Sequence, residues 1–171
     1  MASRVVVRTE GGPDSGEHVE SYQRALDEVA RERKYLALLE APPLPHTRAY
    51  VRSNIEIGNP FFVAVANEDV VGWCNINRLP FPVHRHRGTF GIGIVPAYRG
   101  SGLGTRLLGK TLEAAFKAGF VRIEGDVYTD NEPAIALYEK VGFVKEGIIR
   151  DAVFADGAYR DSIFVALIRR S

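Results

Sequence analysis

Arg99-Gly100-Ser101-Gly102-Leu103-Gly104 lies between an apolar strand ending at Val95-Pro96 and a helical stretch whose Leu103, Leu107, Leu108, Leu112, Ala115 and Phe116 recur on one face. Glycines at such a junction let the backbone approach a ligand and take positive φ. The start of the helix adds N–H groups with no intrahelical partner and a partial positive charge, which suits an anion such as a pyrophosphate. The same glycines would also serve a bare strand-to-helix turn, and alone they do not separate the two readings.

Outward from this loop, the pattern gives a strand at Thr89–Val95 before it and a helix from Gly102 to about Ala118 after it. Upstream, Arg4–Arg8 reads as a short strand, Gly11 to Gly16 as a turn, and Glu17 to about Arg33 as a helix. Ala41-Pro42-Pro43-Leu44-Pro45 breaks the chain before a second helix, His46–Ile57. Strands follow at Phe61–Ala66 and Val70–Asn77, then a polar loop from Arg78 to Gly88. Downstream come a strand at Val121–Tyr128, a helix from about Glu132 to Val141, a strand at Phe143–Arg150, a turn at Phe154–Ala158 and a last strand at Asp161–Ile168. The order β-α-α-β-β-β-α-β-α-β-β predicts one α/β domain over residues 1–171, a mixed sheet with helices on both faces.

The second informative stretch is Asn131-Glu132-Pro133-Ala134-Ile135-Ala136-Leu137-Tyr138-Glu139-Lys140-Val141-Gly142-Phe143. Asn131 suits the N-cap, Pro133 the first turn, and Gly142 the left-handed C-cap. Tyr138 is the unusual member, since a phenol on a buried helix face needs a polar partner. The two stretches together, Arg99-x-x-Gly102-x-Gly104 and then Asn131, Ala134, Leu137-Tyr138 and Gly142-Phe143, resemble the acetyl-CoA-binding core of the GNAT superfamily of N-acetyltransferases. The resemblance runs from about Gly88 to Arg170 and is similar to the branch of ribosomal-protein and amino-acid N-acetyltransferases.

That resemblance implies the acyl-CoA N-acyltransferase fold, with a mostly antiparallel sheet, and transfer of an acetyl group from acetyl-CoA to a primary amine by direct attack. Carried over by position, Ile92, Gly93 and Ile94 offer backbone groups to the pantetheine arm, with a bulge permitted by Gly91 and Gly93 splaying that strand from its neighbour. Arg99, Gly100, Ser101, Gly102, Leu103, Gly104 and Thr105 hold the pyrophosphate, and Asn131 reaches the pantetheine from the other side. Tyr138 donates a proton to the leaving thiolate, and the Ile94 N–H faces the developing oxyanion. Glu124 and Asp126 are the candidate bases, Glu124 being equally suited to anchoring the sheet.

For the acceptor, the resemblance points to Arg31–Pro45 and Val153–Tyr159. There Glu32, Tyr35 and Glu40 suit a cationic amine, while Arg31, Arg33 and Lys34 suit a carboxylate. A free amino acid or similar small amine leads, ahead of a protein N-terminus and of a non-catalytic CoA-binding module. A homodimer is compatible with the resemblance, and no interface is legible.

Competing motifs are weaker. Gly104-Thr-Arg-Leu-Leu-Gly109-Lys110-Thr111 matches the P-loop string, but it begins inside the predicted helix and puts Lys110 two turns from the N-terminus. The dinucleotide pattern G-x-G-x-x-G fails at Thr105 in one register and Leu107 in the other. Cys74, the only cysteine, excludes an internal disulfide and reads as a small buried hydrophobe rather than an acyl-carrying nucleophile. His84 and His86 alternate in a basic loop and read as a solvated patch, not a metal site. The 22 basic and 21 acidic residues give a net charge of +1, which argues against nucleic acid and anionic membranes as partners. With no signal-like N-terminus and no apolar run near the ~18 residues of a membrane span, the expected location is cytoplasmic.

Overall fold

The computed structural model describes residues 5–9 and 18–170. Strand β1 (Val6–Thr9) leads to helices α1 (Val19–Arg31) and α2 (Leu44–Glu56). Then follow β2 (Phe61–Ala66), β3 (Asp69–Arg78), β4 (Arg87–Ile94), α3 (Leu103–Lys117), β5 (Arg122–Tyr128), α4 (Glu132–Val141), β6 (Val144–Ala155) and β7 (Ala158–Ile168). The expected element order holds, while Arg4 and the Gly11–Gly16 turn fall outside the described residues.

These strands form a seven-stranded sheet in the order β1-β2-β3-β4-β5-β7-β6. Every pairing is antiparallel except β4 with β5. Strand β3 shows how the helices cover it, because neighbouring residues on a strand point to opposite faces. On one face Trp73 takes the edge of Tyr22 from α1, with ring centroids 5.6 Å apart. On the other, Gly72 lies under Leu107 of α3, and Cys74 is fully buried. Helices therefore cover both faces, and the fully buried Leu107, Leu108 and Ala115 of α3 fill the second layer.

The element ends differ from the sequence expectation for local reasons. Helix α1 stops at Arg31, two residues early, and Arg33 has φ of 55°. Helix α2 starts at Leu44, inside the proline run: Pro45 sits in its first turn, where no N–H is needed, and Thr47 Oγ1 donates to the Pro42 carbonyl at 3.1 Å. The last hairpin is tighter than the expected Phe154–Ala158 turn. Asp156 and Gly157 (φ 52° and 78°) make a two-residue turn, and β6 and β7 pair up to Ala155 and Ala158. No described helix is long and apolar enough to cross a membrane.

Candidate active site

The site begins where the parallel pair comes apart. Strands β4 and β5 are paired only at Arg87–Arg122, Gly88–Ile123 and Thr89–Glu124, and beyond that they diverge. At the point of divergence the Phe90 ring occupies the space of a side chain on Gly125, where a Cβ would lie 2.8 Å from Phe90 Cε1.

The backbone groups left open follow from the ladder on the other side of β4. Val95 N–H donates to Val71 O at 3.0 Å, and the register is continuous through Ile94–Gly72, Gly93–Trp73 and Ile92–Cys74. Antiparallel ladders alternate hydrogen-bonded and non-bonded pairs. Gly93 and Gly91 therefore turn their N–H and C=O groups toward β3, while Ile92 and Ile94 turn theirs into the cleft. This corrects two expectations. No bulge interrupts β4 against β3, and Gly93 spends its backbone on the sheet. Its lack of a side chain has another cause, since a Cβ there would lie 2.2 Å from Trp73 Cη2.

Below the cleft, Gly100 and Gly102 take φ of 71° and 78°, which carries the chain sharply into α3. The first backbone bond of the helix runs from Arg106 N to Gly102 O, so the amides of Leu103, Gly104 and Thr105 precede it at the N-terminus. Gly104 lets α4 come close, with Leu137 Cδ2 3.0 Å from where a Cβ would stand. Arg99 turns elsewhere than toward the helix start. Its Nε donates to Ile94 O at 2.8 Å, its Nη1 and Nη2 reach the Glu32 carboxylate at 2.9 and 2.5 Å, and its guanidinium lies 4.9 Å from the centre of the Tyr35 ring. The P-loop string lies within α3, with Lys110 exposed, and Thr111 is buried with its hydroxyl on Leu107 O.

Two cavities meet in the cleft, of about 320 and 630 Å³. The smaller is bordered by every residue expected to hold the cofactor except Ser101, whose hydroxyl bonds the Tyr98 carbonyl at 2.8 Å. Asn131 borders it while capping α4, its Oδ1 accepting from Ala134 N at 3.3 Å. The larger cavity lies among α1, the α1–α2 connection, α2 and the sheet. Tyr35, Ile92, Asp126 and Tyr138 line both.

Tyr138 sits at this junction, 7% exposed, with Phe90 edge-on at 5.0 Å between ring centroids. Burial, together with the nearby Cys74 and Asp126, raises its pKa well above the ordinary value, so the phenol keeps its proton at neutral pH. Asp126 is exposed toward the cleft, two residues beyond Glu124 on the same face of β5.

Glu124 is placed differently. It borders neither cavity and is nearly buried between Arg87 and Arg122, which both bond its carboxylate. Arg122 also grips Glu146, at 2.8 and 2.5 Å. Burial pushes the Glu124 carboxyl up, but the hydrogen bonds and charges of the two arginines outweigh it and hold it below its ordinary value. Of the two readings open in the sequence, this position fits the anchor and not the base. Cys74 borders neither cavity, is fully buried, and has its thiol pushed up to about 12 by burial, an environment adverse to a nucleophile.

The acceptor expectations divide as well. Tyr35 does border the larger cavity, but Glu32 is held by Arg99, Glu40 by Arg31, and Arg33 by Asp156, and the Val153–Tyr159 hairpin does not border it. The sequence reading missed Trp73 and Phe90, whose signal was indirect: each stands against a glycine of a neighbouring strand. Among the described residues, no group of three or more His, Cys, Asp or Glu is placed to hold a metal.

Comparison with known proteins agrees with this geometry. The family model described as "Acetyltransferase (GNAT) family" matches residues 24–143. The chain is 38% identical over 112 residues to the N-alpha-acetyltransferase RimI of Mycobacterium tuberculosis, covering 61% of this chain and 66% of that one. It is 32% identical over 108 residues to the L-amino acid N-acetyltransferase AaaT of Escherichia coli, covering 63% and 67%. Its fold superposes on YncA of Salmonella typhimurium, solved with its cofactor acetyl-CoA, with a TM-score of 0.86 over 96% of this chain and 93% of that one at 18% identity.

Proposed function

Since the chain belongs to the acetyltransferase (GNAT) family, we propose that its cleft joins acetyl-CoA in the smaller cavity to the primary amine of a small molecule in the larger one. The protein is an acetyl-CoA-dependent N-acetyltransferase, and the observation that carries the proposal is the meeting of the two cavities at Tyr35, Ile92, Asp126 and Tyr138. The residues present suit the co-substrate. The α3 N-terminus and its glycine loop suit a pyrophosphate, and the open N–H and C=O of Ile92 suit the amides of a pantetheine arm.

Acetyl-CoA brings an acetyl group already activated as a thioester. The protein's part is to orient the amine and to move protons. Asp126 draws the ammonium to the junction and accepts its proton through water, which frees the nitrogen lone pair to form the C–N bond. The Ile94 N–H points into the cleft, suited to the oxygen on which charge develops. Tyr138, held protonated by burial, gives its proton to the sulfur as the C–S bond breaks, and its phenolate regains one from the nitrogen, which sheds its second proton as the amide forms. Glu124 locks β4, β5 and β6 together through Arg87, Arg122 and Glu146, at the point where the cleft opens.

The test is Tyr138→Phe. Acetyl-CoA affinity is expected to stay within about twofold while kcat falls by roughly 10²-fold or more. An unchanged kcat would remove Tyr138 from the proton path. Identity to a RimI N-alpha-acetyltransferase supports a second reading, a protein N-terminus as acceptor. Faster acetylation of short peptides than of any small amine would decide for it.

A further inference from the structure

We propose that the acceptor is a monoamine without a carboxylate, an apolar or aromatic primary amine; this rests on the acetyltransferase reading above. The larger cavity is walled by Tyr22, Tyr35, Trp73, Phe90 and Tyr128. Its described lining contains one carboxylate, Asp126, with the His46 imidazole and the Asn75 amide, and no lysine or arginine. The Asn75 amide already donates to Tyr50 Oη at 2.9 Å and Asn77 Oδ1 at 3.0 Å.

Four arginines on or near the surrounding elements are committed elsewhere, and Lys34 and Arg52 lie outside the lining. Arg31 pairs with Asp27 and Glu40, Arg33 with Asp156, Arg48 with Glu20, and Arg99 with Glu32. Arg160, whose charge is felt at Tyr128, donates to the Arg33 carbonyl.

This count of charges discriminates among amines. The carboxylate of a free amino acid would enter a largely aromatic cavity with no guanidinium or ammonium in its lining to meet it, and Asp126 would repel it. A polyamine would bring a second ammonium with no second carboxylate in the lining to receive it. A single ammonium matches the single carboxylate, and the aromatic faces favour a cation beside them and an apolar body behind it.

The experiment compares matched pairs at saturating acetyl-CoA: phenethylamine with L-phenylalanine, and 3-(methylsulfanyl)propylamine with L-methionine, with spermidine alongside. Acetyl-CoA binding is followed separately by calorimetry. The amines are expected to exceed their amino acids in kcat/KM by about 100-fold, the scale of leaving a buried charge unpaired. Asp126→Asn is expected to narrow that ratio, which a general loss of kcat would leave unmoved. An amino acid used as well as its amine overturns the proposal. So does an amino-acid preference that His46→Gln abolishes, which would put the carboxylate at that imidazole, and so does a preference for spermidine. If none is acetylated while acetyl-CoA still binds, this inference fails alone. If acetyl-CoA does not bind, the acetyltransferase reading fails with it.

Discussion

Gly93→Ala tests whether the cleft is shaped by a side chain from β3 rather than by a bulge. A Cβ at Gly93 would lie 2.2, 2.4 and 2.8 Å from Cη2, Cζ2 and Cζ3 of Trp73, whereas ordinary carbon contacts fall near 3.5–4.0 Å. Trp73 is 3% exposed and touches the Tyr22 ring, so the indole has little room to retreat. Overpacking of this kind costs about 1–3 kcal/mol, and an overlap this deep belongs at the upper end. For a chain of this size that lowers Tm by about 6–12 °C. Trp73 is the only tryptophan, so its emission reports the displacement directly and is expected to shift to the red. Trp73→Phe removes the atoms that collide, and the double variant is expected to recover at least ~0.5 kcal/mol relative to the sum of the single costs. Urea denaturation of the four proteins measures the coupling. Strictly additive costs, or an unshifted emission in Gly93→Ala, would refute the argument.

Two smaller predictions concern the supports of the site. Glu124→Gln is expected to cost about 3 kcal/mol at neutral pH, because Arg87 and Arg122 lose their shared carboxylate. The folded pKa of Glu124 lies below the ordinary 4.5, so this stability is fully present above that value and is lost as pH falls through the folded one. The gap between wild type and variant in denaturation midpoint should therefore close in acid, and a penalty unchanged with pH would contradict the pairing. Gly102→Ala meets no atom within 4 Å but must hold φ of 78°, so about 1–2 kcal/mol of pure backbone strain is expected by urea denaturation, with Gly102→Asn milder.

What could be read in the sequence was what depends on neighbours along the chain. The α3 face is a periodic pattern, and the α4 caps, Asn131 and Gly142, are short-range chemistry. The start of α2 was misplaced because a proline run reads as a break even where Pro45 occupies a first turn. The Asp156-Gly157 turn was drawn too wide because its exposed strand ends lack a buried face to mark them. The choice between anchor and base at Glu124 stayed open in the sequence for a different reason. Arg87 stands 37 positions away and reaches it only through the parallel pairing of β4 with β5. Arg99 looks like a phosphate ligand beside its glycines, yet its partner Glu32 is 67 positions distant. Gly91 and Gly93 suggested a bulge because the side chains they accommodate, Asn75 and Trp73, belong to another strand.

The claim on which the account turns is that the loop at Arg99–Thr105 and the open edge of β4 take acetyl-CoA. The direct measurement is a thermal-shift titration with acetyl-CoA, desulfo-CoA and Mg-ATP in parallel. A ligand at about 100 times its Kd stabilises by about 2.7 kcal/mol, or roughly 5–11 °C here. The account predicts that shift with both CoA compounds and none with Mg-ATP. A shift with Mg-ATP alone would contradict it and return the P-loop string at Gly104–Thr111 to consideration.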